Sequence, residues 1–212
     1  MLYSYIQLTK QRWLSAYEDR HFRFRFVLNF FACLFLYFTI VHWLHLNSSR
    51  IGATLNDPIQ PHFIARDWSV LIGILTYASV IPFLVFIAQQ PRLLHQVFRS
   101  FTAVFVVRAV CIWLVPLAPP KEIIALYDPV IDYLAGEGSI LNDLFFSGHV
   151  ADLFIFFFAA TNLKLKQWIF ICTIFVGTLL VWQRVHYTID VFAAPFFAWV
   201  CHRVFIGDSK SE

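Results

Sequence analysis

The chain has 212 residues, of which 59% are hydrophobic and 14% charged, with a formal net charge of +3. Soluble domains carry roughly 25% charged residues, and six membrane-spanning helices of about 20 residues would use roughly 120 apolar positions, close to the whole apolar inventory here. A soluble globular domain, a disordered chain and a fibrous protein are excluded, and so small and dispersed a positive charge excludes a nucleic-acid partner.

In chain order, residues 1–25 are polar and basic, with Lys10, Arg12, Arg20, Arg23 and Arg25, and read as a cytoplasmic N-terminal segment. The apolar run 26–46 is longer than a signal-peptide core and lacks a small-residue cleavage site, so it is expected to remain as a transmembrane helix. Further spans are predicted at about 69–89, 99–117, 147–163, 167–185 and 187–205. The fold class is therefore an all-α membrane protein: a six-helix domain over 26–205 with a short cytoplasmic tail, 206–212. A corner is expected at Lys164-Leu165-Lys166 and a tight turn at Gln183-Arg184-Val185-His186. The third and fourth spans are joined by 118–146, which is too long for a bare connector and is a candidate functional cap.

Eleven Lys/Arg fall on the side of the termini and four (Arg50, Arg66, Lys121, Arg184) on the other, with Arg108 inside the third span. The positive-inside bias then puts both termini in the cytoplasm and 118–146 on the lumenal, periplasmic or extracellular side. Cys33, Cys111, Cys172 and Cys201 are widely spaced within apolar stretches and read as small buried residues, with no zinc or disulfide pattern.

Two histidines stand out. His149 opens the fourth span within Phe145-Phe146-Ser147-Gly148-His149, and His186 precedes the sixth within His186-Tyr187-Thr188-Ile189-Asp190. One helix down and one back, each of about 22–29 Å at 1.5 Å per residue, returns the chain to the same outward face, so both histidines emerge there. His186 and Asp190 are four apart and share a helix face. A carboxylate there fixes the imidazole tautomer and makes the other nitrogen a better nucleophile or base. Ser147 is placed to cap the fourth helix and Gly148 to let backbone approach a ligand, while amides at that helix start favour an anion such as phosphate.

These residues resemble the sphingomyelin synthase branch of the type-2 phosphatidic acid phosphatase (lipid phosphatase/phosphotransferase) superfamily. That branch carries a Cys/Asn-x-Asp-x-x-Phe-Ser-Gly-His block, which here reads Leu141-Asn142-Asp143 through His149, and a His-Tyr-Thr-Ile-Asp block, matched by His186 through Asp190. The segment Val107-Arg108 through Leu117 is similar to its Tyr-Arg-Cys segment. The likeness covers roughly residues 99–205. It implies a six-span bundle with cytoplasmic termini and a ping-pong transfer of a phosphocholine- or phosphoethanolamine-type group from a glycerophospholipid donor to ceramide or a similar lipid alcohol. His186, oriented by Asp190, would form a phosphohistidine, and His149 would act as acid and then base, with no metal or cofactor. Substrate contacts are expected from Arg108, Asp143, Ser147, Gly148, Asp152 and Tyr187, and a homo-oligomer is compatible with the family pattern.

The Lys-x6-Arg-Pro block of the phosphatase branch is absent, and Arg184 lies only two residues before His186, too close to match that branch's arginine. Fewer cations favour a phosphodiester over a phosphomonoester, hence transferase over phosphatase; a lipid phosphate phosphatase or phospholipase-C-like hydrolase is the alternative reading, and a non-catalytic lipid transporter or scaffold the third. Asp152, one turn beyond His149, either orients His149 or pairs with Arg108. The acidic 118–146 loop, with Glu122, Asp128, Asp132, Glu137 and Asp143 beside Tyr127 and Tyr133, is a candidate cradle for a cationic headgroup.

Overall fold

The computed structural model describes residues 2–46, 50, 52–128 and 144–206. Asp143, Asp132, Glu137 and Tyr133 lie outside them. Among the described residues seven α-helices form: α1 (Leu2–Glu18), α2 (Arg20–Leu46), α3 (Ser69–Ile87), α4 (Pro91–Leu114), α5 (Gly148–Ala159), α6 (Leu163–Trp182) and α7 (Thr188–Ile206), with one 3-10 turn at Gln60–His62. No strand occurs among the described residues; the one extended pairing is a parallel bridge between Ala53 and Leu117. The chain is thus all-helical. Windows in α2, α3, α4 and α6 are long and apolar enough to cross a membrane, whereas α5 is apolar but has only 12 residues.

Local chemistry sets the helix ends. Asp19 Oδ1 accepts from the N–H groups of His21 and Phe22 at 2.8 and 3.2 Å, capping α2 as a short acidic side chain does at a helix start. Pro91 opens α4, where a missing N–H costs nothing. Asn162 caps α6 by accepting from Leu165 N–H at 3.0 Å. The α5–α6 turn therefore falls at Ala160–Asn162, ahead of the corner expected at Lys164–Lys166, and both lysines lie in the first turn of α6. Residues 2–18, read from the sequence only as a polar segment, form a helix of their own.

Packing places α5 at the centre, against α6 and α7. Helix α3 lies on α6, α4 on α7, and α2 outermost on α4. Phe83, Val104, Ile155, Ile169, Leu180 and Ala194 form the dry middle of this bundle. Phe146 stacks on Phe197 with centroids 4.4 Å apart and rings 5° from parallel, fixing the entry to α5 on α7. Pro82 inside α3 leaves the Ala78 carbonyl without its helical donor; Trp168 Nε1 of α6 supplies one at 3.0 Å. The outer faces expose Phe24, Phe31, Val70, Phe192 and Phe196, as surfaces bathed in lipid do. These apolar helices make the chain an integral membrane protein.

Candidate active site

The site lies where α5 and α7 begin. Ser147 N–H donates to the Asp190 carbonyl at 3.1 Å, so the two helix starts meet and bring their histidines to one end of the bundle. Asp190 Oδ2 stands 3.6 Å from His186 Nδ1 and accepts from Tyr187 N–H at 3.0 Å. The second contact is the returning half of a capping box, in which the third helical residue bonds the N-cap amide. Asp190 is fully buried and His186 nearly so. Burying a carboxylate costs several kcal/mol unless it is compensated, and here the imidazole and the α7 helix dipole are its neighbours.

His149, on the first turn of α5, meets a different carboxylate from the one expected. Asp128 Oδ2 is 3.6 Å from His149 Nε2, and Asp128 Oδ1 accepts from the Tyr77 hydroxyl of α3. Asp152 is half-buried on the same helix, within electrostatic reach of Cys33 on α2. Two His–Asp pairs thus converge from adjacent helix starts. At 3.6 Å neither pair closes a full hydrogen bond, the loose geometry usual before substrate tightens a site.

Arg108 of α4 completes the group. Its Nε donates to the Phe146 carbonyl at 3.0 Å, and its guanidinium lies on Gly148, where a Cβ would come within 2.7 Å of Nη1. Gly148 therefore serves close approach, with Arg108 as the group that approaches. The first-turn amides of α5, which have no intrahelical acceptor, and a guanidinium meet at one point, an arrangement suited to a phosphate oxygen. Ser147 sits at the N-cap position but makes no side-chain capping bond, contrary to the expectation. Its hydroxyl is fully buried, and with His149 Nε2, His186 Nδ1 and Asp190 Oδ1 it has no hydrogen-bond partner among the described residues. Buried polar atoms left so cost about 1–3 kcal/mol each, and their concentration in two short segments marks a site built for a polar guest.

Other expectations are revised. Tyr187, expected at the substrate, is buried and uses its hydroxyl to bridge two loops, donating to the Ala118 carbonyl at 2.9 Å and accepting from Leu55 N–H at 3.2 Å. The acidic loop is not a free cradle in its described part: Asp128 is buried on Tyr77 and faces His149, and Glu122 pairs with Arg184. Arg184, held at a positive φ of 63°, also donates to the carbonyls of Lys121 at 3.1 Å and Phe63 at 3.1 Å. All four thiols are free, with Cys172 and Cys201 buried.

Supporting residues invisible in the sequence hold the frame. Asp57 accepts from Thr188 N–H at 2.6 Å and Thr188 Oγ1 at 2.8 Å, clamping the start of α7. Gln60 Nε2 donates to the His186 carbonyl at 2.8 Å. Gln183, fully buried, accepts from Trp68 N–H at 2.8 Å and donates to Ser69 Oγ at 3.0 Å and the Ile124 and Ala125 carbonyls at 3.3 Å. It thereby ties the loop that carries Asp128 to the top of α3.

Residues 142–207, which span α5 to α7, match the family model described as PAP2 superfamily C-terminal. The similarity is confined to these three helices. The match supports the type-2 phosphatidic acid phosphatase superfamily as a whole, whose members generally are enzymes acting on phosphate esters, and it contains Ser147, Gly148, His149, His186 and Asp190. No curated protein matches the chain. Within the PAP2 frame, Arg108 and Asp128 are contributions from outside the matched segment.

Proposed function

We propose that the chain is a membrane phospholipid headgroup transferase of the sphingomyelin synthase-like type, with membrane lipids as both donor and acceptor. The observation that carries this reading is the pair of His–Asp couples, His186–Asp190 and His149–Asp128, set at two touching helix starts beside Arg108. Nucleophilic transfer needs a nucleophile oriented by a third group and a separate acid–base residue, and this arrangement supplies one of each.

In the first half-reaction Asp190 holds the Nδ1 proton of His186, and the Nε2 lone pair attacks the donor phosphorus. The phosphorus–oxygen bond to diacylglycerol breaks, and the leaving oxygen takes its electron pair and a proton from His149. His186 then carries the headgroup phosphate. In the second half, neutral His149 removes the proton from the acceptor hydroxyl, whose oxygen attacks phosphorus as the phosphorus–nitrogen bond breaks and returns its electrons to His186. Asp128 stabilises the His149 imidazolium that exists before the first half and is restored at the end of the second. Arg108, Ser147 and the α5 amides hold the non-bridging oxygens. The scheme uses no metal or cofactor.

A phosphodiester donor is favoured over a phosphomonoester by charge. Arg184 is committed to Glu122 and loop carbonyls, so the guanidinium at the α5 start is that of Arg108, a match for the single charge of a phosphodiester. All six apolar segments cross the bilayer in this reading, with the site on the extracytoplasmic face. The test is purified protein with glycerophospholipid, with and without ceramide. Diacylglycerol release that requires the lipid alcohol, with stoichiometric headgroup transfer, supports the transferase. Release independent of acceptor identifies the phosphatase-like hydrolase, in which water takes the acceptor's place.

A further inference from the structure

We propose that α1 is an interfacial helix that seats the bundle on anionic lipid headgroups of the leaflet opposite the histidines. The helix turns into α2 at Asp19 and folds back on the α3–α4 turn. Trp13 Nε1 donates to the Ala88 carbonyl at 2.7 Å, Arg12 Nη1 donates to the Gln89 carbonyl at 3.4 Å, and the Trp13 ring meets Phe26 edge-on at 5.6 Å. That turn closes the far end of α3 and opens α4, away from Ser69 and Arg108 and hence away from the site.

At about 100° per residue, Thr9, Trp13 and Ala16 share the face turned to the bundle, and they are the more buried positions of α1. The adjoining quarter carries Ile6, Lys10, Leu14 and Tyr17. There Ile6, Leu14 and Tyr17 are 54%, 55% and 39% exposed. Gln7, Gln11, Ser15 and Glu18 occupy the polar side, which Arg12 and the half-exposed Leu8 border where it returns to the bundle. The helix is therefore divided in three: protein, an exposed apolar strip, and water.

Charge and position name what covers the strip. Residues 1–25 hold five Lys/Arg against Glu18 and Asp19, and Lys10, Arg12, Arg20, Arg23 and Arg25 are all exposed. Immediately beyond, α2 exposes Phe24, Leu28 and Phe31, so the lipid phase begins beside α1. A lysine centred in an apolar strip lets its stem and neighbours enter the acyl boundary while its ammonium reaches phosphate level. A cluster of cations next to a spanning helix is drawn to anionic leaflets.

The test uses the full chain carrying Leu14→Cys with an environment-sensitive fluorophore, and Gln11→Cys as the polar-face control. Both go into nanodiscs of phosphatidylcholine alone or with phosphatidylglycerol added. The expected result is severalfold weaker quenching of position 14 by a water-soluble quencher when phosphatidylglycerol is present, reversed by high salt and absent in the Lys10→Glu/Arg23→Glu background. Position 11 stays fully quenched throughout. Equal quenching at both positions, protection indifferent to phosphatidylglycerol, or cross-linking of two copies through position 14 would each overturn the proposal. The labelled single variants decide the matter even if the charge-reversed background does not fold.

Discussion

The Asp190 carboxylate is shared between a backbone amide and an imidazole, and the two roles separate by substitution. In Asp190→Asn the remaining oxygen still accepts from Tyr187 N–H, so the α7 cap survives, but the charge that holds the His186 tautomer is gone. Turnover is expected to fall by about 10³-fold with the thermal midpoint nearly unchanged. Asp190→Ala also removes the cap and costs about 1 kcal/mol more in stability. Turnover and unfolding measured on both variants test this division. Asp128→Asn is expected to slow turnover by about 10²-fold and to move the pH–rate profile, because the carboxylate facing the His149 imidazolium is lost. Tyr77→Phe, which only frees one oxygen of that carboxylate, has the smaller effect.

Asp57 makes a pH prediction. Burial raises its carboxyl pKa, but the bonds from the Thr188, Ile59 and Gln60 amides and the Thr188 hydroxyl outweigh burial and hold it below its ordinary value of 3.8. A carboxyl depressed in the folded state contributes stability above its unfolded pKa and loses it as pH falls through the folded one. Protection of the amides at the α7 start, taken against the intrinsic exchange rate at each pH, is therefore expected to stay high near neutrality and to fall only in acid below that value. Asp57→Asn should remove the pH dependence.

Among the elements, the loops over α3 and α6 position the chemistry as much as the helices do. Gln183→Leu would leave Trp68 N–H and the Ile124 and Ala125 carbonyls without their partner. With several buried groups unsatisfied, about 3 kcal/mol of stability is expected to go, read as a lower thermal midpoint, together with slower turnover as the Asp128 loop loosens. What the sequence revealed and what it hid divides along the same line. His186 and Asp190 were legible because four residues on one helix fix their proximity, and Ser147-Gly148-His149 because it opens a helix. Asp128 was visible only as one acid among several, since its meeting with His149 depends on a loop crossing to another helix. Tyr187 sat inside a recognisable block, yet its hydroxyl faces two loops that only the fold brings together. The α5–α6 turn was misplaced because two lysines outweighed Asn162, the residue whose side chain makes the cap, and α1 was hidden by its low apolar content.

For the molecule as a whole, scarce polarity is distributed by purpose. Cations gather on α1 and the first turns of α2, while buried acids and histidines gather at the starts of α5 and α7, and Phe-rich surfaces separate the two. The segment that matches the PAP2 family model supplies both histidines, and α4 with the 123–128 loop brings Arg108 and Asp128 to them. The central claim is that His186 becomes covalently phosphorylated by a phospholipid. Purified protein incubated with glycerophospholipid without acceptor, digested under mildly alkaline conditions and read by mass spectrometry, tests it most directly. The account predicts a headgroup-phosphate adduct on the His186 peptide that disappears on adding ceramide and never forms in His186→Ala. Unmodified His186 in a protein that still turns over, or turnover retained by His186→Ala, would contradict it.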